Sequence, residues 1–227
     1  WDRNGIVNSN EKFANEIPQE KRGIINGKKS FPTMFYWKDI LDYEEKNKEW
    51  IKHIRDVKNT NAESRKGVTK SNVFGWQSGN TWITHPGIWN EVQTFANELH
   101  GVMKIDPEYS AVIDMIWANI NKKGSHNRAH THPGCHLSFV YYLKCPEKCG
   151  QICFVDPRPQ AYAVQLPFKP SDNWQGQRPE EYGQEVYWPP TPGRFIMFPS
   201  WLTHEVEANS TDETRISISG NITFRKK

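Results

Sequence analysis

The spacing of apolar positions changes period about halfway along the chain. Over residues 88–103, Ile88, Val92, Phe95, Leu99, Val102 and Met103 recur mainly at steps of three and four, which lines them up on one face of a helix. A shorter run of the same kind, Trp50, Ile51, Ile54 and Val57, predicts a second helix within 39–58. Beyond position 110 the helical period gives way to short runs punctuated by Gly and Pro: AVIDMIWANIN, HLSFVYYL, GQICFV, EVYW, GRFIMF, THEVEA and TRISISGNITF. Strands this short, at this spacing, predict an antiparallel sandwich or barrel. The two helices then serve to cover a sheet.

Residues 1–30 are polar and rich in Gly, Asn and Lys, which predicts an N-terminal arm ahead of a single domain over 31–227. The stretch 166–184, LPFKPSDNWQGQRPEEYGQ, reads as a long loop. Long loops in compact domains often act as lids or binding loops, so Trp174 is a candidate gate residue beside the plain reading of a solvent loop.

Composition narrows the function classes. The ten tryptophans and 13% aromatic content suit a β-rich core or an aromatic-lined cleft. A net charge of only +3, from scattered basic residues, lacks the basic patch of a nucleic-acid binder. No apolar run approaches the length of a membrane span, and WDRNGIVNSNEKFANEIPQE lacks the apolar core of a secretory signal. Cys145, Cys149 and Cys153 are not spaced as a zinc ribbon, so free thiols in a cytoplasmic protein are expected for them and for Cys135. A local disulfide or a metal clip is the alternative.

Chemistry concentrates in NRAHTHPGCHLSFVYYL, residues 127–143: with His126, four of the eight histidines fall between 126 and 136. Side chains two apart on a strand leave the same face, so His130 and His132 can address one ion. A third ligand must come from another strand. His204, which follows GRFIMFPSW, is the best placed. Three protein ligands leave half of an octahedron open, the arrangement of non-haem iron oxygenases. Taken alone, the HxH pair also fits surface or satisfied core histidines.

Arg215 opens the strand RISISGNITF, in which Arg215, Ser217, Ser219 and Asn221 share one face and Ile216, Ile218, Ile222 and Phe224 the other. Inside a barrel the polar face lines a pocket; on an edge it would face solvent. A buried guanidinium requires an anion and fits a carboxylate in bidentate fashion. A ligand with a carboxylate at one end and a chelating group for the metal at the other satisfies both sites, and 2-oxoglutarate is such a molecule.

The segments HTHPGCHLSFVYYL, CPEKCGQICFVDPR, PGRFIMFPSWLTHEV and RISISGN, with SNVFGWQS at 71–78, together resemble the phage and bacterial group of 2-oxoglutarate/Fe(II)-dependent oxygenases, of which prolyl 4-hydroxylases are more distant relatives. The likeness spans roughly residues 30–225. It implies a mainly β fold, a double-stranded β-helix or jelly roll, with flanking helices. It also implies an enzyme that uses Fe(II), 2-oxoglutarate and O2, by default to hydroxylate a C–H bond of a peptidyl or small-molecule substrate. In that pattern His130, His132 and His204 are metal ligands, and Arg215 with Ser217 clamps the distal carboxylate of 2-oxoglutarate. Tyr142 matches the tyrosine that donates to the same carboxylate, against a plain core aromatic as the bland reading. Asn119 and Asn121, on one face with Trp117, are candidates to reach cosubstrate or substrate.

The pattern departs from its relatives at one ligand. The commoner motif is HxD, whereas here the middle residue is His132, so a neutral triad would leave the full charge of the ion uncompensated. Asp156 and His136 are reserve ligands, with a turn cap as the bland role for Asp156. Two other readings share the barrel. A three-histidine cupin would oxidise without 2-oxoglutarate and has no need of Arg215, Ser217 or Tyr142. A non-catalytic binding module would close a four-ligand zinc shell with His136 or His126.

Overall fold

In the final strand, isoleucine and phenylalanine alternate with polar residues, and this alternation sets the architecture. The computed structural model describes residues 32–158 and 184–227. The expected arm over 1–30 and Trp174 lie outside the described residues. In the unit Phe35–Lys227 the elements are, in chain order, β1 (Tyr36–Asp39), α1 (Tyr43–Asn59), α2 (Ala62–Lys66), β2 (Asn72–Val73), β3 (Trp76–Gln77) and α3 (Pro86–Val102). The strand-rich half follows with β4 (Tyr109–Asn121), β5 (His126–His130), β6 (Leu137–Lys144) and β7 (Ile152–Val155). It ends with β8 (Glu185–Trp188), β9 (Arg194–Pro199), β10 (His204–Val206) and β11 (Arg215–Lys226).

These strands form two antiparallel sheets. One has the order β1-β9-β6-β11-β4-β3 and the other β2-β5-β10-β7-β8. The chain crosses between sheets on passing from β4 to β5, β5 to β6, β6 to β7, β8 to β9, β9 to β10 and β10 to β11. That zigzag is a double-stranded β-helix, with helices flanking it, and it carries residues far apart in sequence onto facing walls.

Period-two alternation then sorts side chains between the two faces of the larger sheet. Ile216, Ile218 and Ile222 of β11, Phe139, Tyr141 and Leu143 of β6, and Phe195 and Met197 of β9 all belong to one core. That core also takes Trp50 and Ile54 of α1, and Ile88, Val92, Phe95 and Leu99 of α3. Each fully buried isoleucine contributes about 1.5–3 kcal/mol, so the stripe from Ile88 to Leu99 anchors the helix to the sheet, whereas Val102, expected on the same face, lies exposed at the helix end. Val140, Tyr142, Ile196 and Phe198 point the other way, into a second cluster with Ile152 and Phe154 of β7. A register shift between Asn221 and Ile222 sets Asp114 out of the β4 ladder, where its carboxylate meets Thr223 and Arg225. Among the described residues no helix is long and apolar enough to cross a membrane.

Candidate active site

β5 and β10 lie side by side with His130 directly opposite His204. The sequence predicted His130 and His132 on one strand. Instead β5 ends at His130, and His132 stands just beyond it, tied by its backbone N–H to the Ser200 carbonyl at 2.9 Å. The three imidazoles still converge: the nearest ligand atoms all lie within 4.8 Å of one another. Ring centroids are 4.3 Å apart for His130–His204, 5.0 Å for His130–His132 and 5.2 Å for His132–His204.

Two of the rings have a defined tautomer. His130 Nδ1 lies 2.6 Å from the Arg128 carbonyl and His204 Nδ1 lies 2.9 Å from the Leu202 carbonyl. A carbonyl only accepts, so each Nδ1 donates and each Nε2 keeps its lone pair for a metal. Burial holds all three rings neutral: it lowers His130, takes His132 down to about 4 with help from His130, and takes His204 down to about 3. Neutral imidazole is the form that ligates.

The histidines line a cavity of about 600 Å³ whose opposite wall is the polar face of β11. Ser217 sits between Asn119 of β4 and Tyr142 of β6, and Arg215 stands opposite Asn121. Arg215 is 1% exposed. Its Nη1 donates to the Cys149, Gly150 and Glu207 carbonyls at 2.5, 3.0 and 3.4 Å, and no carboxylate among the described residues pairs with it. Gly150 is what allows this: its φ is +88°, and a Cβ there would lie 2.4 Å from the Glu207 oxygen and 2.9 Å from Arg215 Nη1. Tyr142 is buried, which raises its hydroxyl well above the usual tyrosine range and keeps it a neutral donor. Tyr141 points away and donates to Asn47 Oδ1 at 2.8 Å. Two buried polar atoms on the same wall, Asn119 Oδ1 and Asn121 Nδ2, have no hydrogen-bond partner.

The cavity, three convergent histidines and a buried guanidinium thus occupy one barrel, and this is where known proteins bear on it. The model of the family described as "Putative 2OG-Fe(II) oxygenase" matches residues 115–221, which contain His130, His132, Tyr142, His204, Arg215 and Ser217. The match over this segment indicates a 2OG-Fe(II) oxygenase. Enzymes of this family use Fe(II), 2-oxoglutarate and O2, and this oxygenase shares that cofactor set. Among solved structures, it is similar to the non-heme alpha ketoglutarate dependent epimerase SnoN from nogalamycin biosynthesis, at 16% identity and TM-score 0.58 over 84% of this chain and 78% of the other. It is also similar to a Pseudomonas putida prolyl-4-hydroxylase, at 13% identity and TM-score 0.53 over 86% of this chain and 94% of the other. A Trichoplax adhaerens prolyl hydroxylase aligns at 12% identity and TM-score 0.52 over 83% of each chain. At such identities these likenesses speak for the fold. No curated protein matches the chain.

The two reserve ligands stay outside the cluster. His136 Nδ1 accepts from the Phe224 backbone N–H at 3.1 Å, because the turn through Gly134, at φ +85°, breaks the strand alternation that ran through His130. Asp156 accepts from Arg158 N, Nε and Nη2 at 2.7–2.9 Å and so caps its own turn, as its bland reading had it. Among the described residues no fourth protein ligand closes the shell. What sequence reasoning missed is mostly backbone: the Arg128 and Leu202 carbonyls that orient rings, and the three carbonyls that hold Arg215. Trp117, named only as a neighbour of the asparagines, packs on His132 at 5.6 Å.

Proposed function

We propose that this 2-oxoglutarate/Fe(II) oxygenase is a hydroxylase in which His130, His132 and His204 hold Fe(II) and Arg215, Ser217 and Tyr142 hold the distal carboxylate of 2-oxoglutarate. The carrying observation is the buried Arg215 without a carboxylate, in the same cavity as three convergent neutral imidazoles. An unpaired buried charge costs several kcal/mol, so the cavity favours an anion at that end. A three-histidine cupin that works without 2-oxoglutarate leaves this guanidinium unexplained. Asn119 and Asn121, with orphaned polar atoms on the same wall, are positioned for the cosubstrate or for substrate.

The iron and 2-oxoglutarate supply the oxidising chemistry. The protein's own residues would fix the ligand tautomers, anchor the carboxylate and donate from the Tyr142 hydroxyl. The substrate is a peptidyl side chain or a small molecule. Four free cysteines, Cys135, Cys145, Cys149 and Cys153, favour the reducing cytoplasm as its location. Anaerobic titration of the Fe(II)-loaded protein with 2-oxoglutarate tests the reading. A visible charge-transfer band that saturates with one equivalent is expected, and a colourless titration would refute it.

A further inference from the structure

Among the described residues, the wall of the active-site cavity bears three permanent cations, Lys70, Arg128 and Arg215, and no aspartate or glutamate. Arg215 is assigned to the cosubstrate. Lys70 and Arg128 are exposed at the mouth, and neither pairs with a carboxylate among the described residues. Some other surface cations do find one: Lys38 meets Glu98, Lys46 meets Glu91 and Arg194 meets Asp39. Glu205 and Glu207 line a second depression that Arg128 also borders, and they close no ion pair with it.

The two cations are built next to the metal ligands. The Arg128 N–H donates to the Ser71 carbonyl at 3.0 Å, so the backbone that carries Arg128 runs beside Ser71, the residue after Lys70. Both segments also touch His130: the Arg128 carbonyl accepts from Nδ1 at 2.6 Å, and Ser71 Oγ is 3.4 Å from Nε2. We propose that Lys70 and Arg128 form an anion-binding rim through which the enzyme selects a substrate bearing a carboxylate or phosphate group, held beside the metal centre. This rests on the oxygenase reading above. With the cosubstrate carboxylate held at Arg215, the rim is left to a second anion. Apolar Trp117 and Met115 line the same cavity and suit the uncharged body of that substrate.

The test uses Fe(II)-loaded protein saturated with 2-oxoglutarate under anaerobic conditions, titrated calorimetrically with benzoate, phenyl phosphate and the neutral isostere benzamide. At least one of the two anions is expected to bind about tenfold more tightly than benzamide. Each exposed charge pair contributes up to about 1 kcal/mol, so K70Q and R128Q should each weaken that anion about threefold to fivefold, and the double variant about tenfold or more. Whether benzoate or phenyl phosphate binds better distinguishes a carboxylate from a phosphate source. The proposal is overturned if benzamide binds as well as both anions, if the variants leave anion binding unchanged, or if they weaken 2-oxoglutarate instead. Failure of 2-oxoglutarate itself to bind the native protein is a different result and would reject the oxygenase reading.

Discussion

His130 and His204 face each other across the β5–β10 pair, and each is turned by a carbonyl two residues before it, Arg128 for one and Leu202 for the other. The repeat of this device on two strands leaves the Nε2 lone pair free of the backbone bond on both rings. It makes the pair a preformed half-site, to which His132 adds the third imidazole.

Removing either member of the pair should therefore abolish iron binding and leave the fold. His130→Ala or His204→Ala is expected to weaken Fe(II) affinity more than about 100-fold, since even the loss of an orienting partner costs 10–100-fold. Metal content after dialysis, read beside an unchanged far-UV circular dichroism spectrum, checks this. Retention of stoichiometric iron by His204→Ala would exclude it as a ligand.

Arg215→Ala should separate cosubstrate from metal. Truncating one partner of a buried charge pair costs about 2–5 kcal/mol, so the dissociation constant for 2-oxoglutarate is expected to rise by ~30-fold or more. Iron content should not change. Normal 2-oxoglutarate affinity in this variant would assign the guanidinium a purely structural role.

Gly150→Ala is expected to act on the same clamp from a distance. The added Cβ would overlap the Glu207 carbonyl at 2.4 Å and crowd Arg215 Nη1 at 2.9 Å, so the guanidinium must move. The positive φ adds strain of order 1 kcal/mol for a residue with a side chain. A raised requirement for 2-oxoglutarate with unaltered iron affinity is the expected signature. A variant that merely melts earlier, with normal 2-oxoglutarate binding, would show that Gly150 serves only the hairpin.

These relationships also mark where the sequence is legible. Alternation in RISISGNITF separates the pocket face from the core face correctly because both faces of β11 are buried, one against helices and one against ligand-binding space. The stripe from Ile88 to Leu99 is equally clear, since α3 has one face toward the sheet. By contrast β2 and β3 are two residues each and β5 is HNRAH, with no apolar alternation, so nothing in their composition distinguishes them from loop. Their strand character comes from neighbours in the sheet.

At the site, side chains with distinctive chemistry could be found by spacing, whereas the groups that aim them could not. A carbonyl has the same identity in every residue, so the support under Arg215, His130 and His204 leaves no trace in composition. His136 illustrates the converse. It has the right type and parity for a ligand, and a single left-handed glycine at 134 redirects it to the Phe224 amide.

Burial of His204 predicts how the metal-free protein responds to acid. Its folded pKa is about 3 and an exposed histidine titrates near 6.5, so below about pH 6.5 the unfolded chain binds a proton that the folded chain refuses. The folded state is then favoured above that pH and loses about 1.4 kcal/mol for each unit of pH decrease until the folded pKa is approached. His130 and His132 shift in the same direction but are partly open to solvent, so their effect is smaller. Carboxylates held low by ion pairs, such as Asp39, respond only nearer their own range and leave the interval from pH 7 to 5 to the histidines. Urea midpoints of chelator-treated protein at pH 7, 6 and 5 should fall steadily. The His204→Gln variant should show a shallower fall, because its side chain does not titrate. Equal slopes for the two proteins would mean that His204 is not held neutral by the fold, and the account of a preformed, ligation-ready triad would then be wrong.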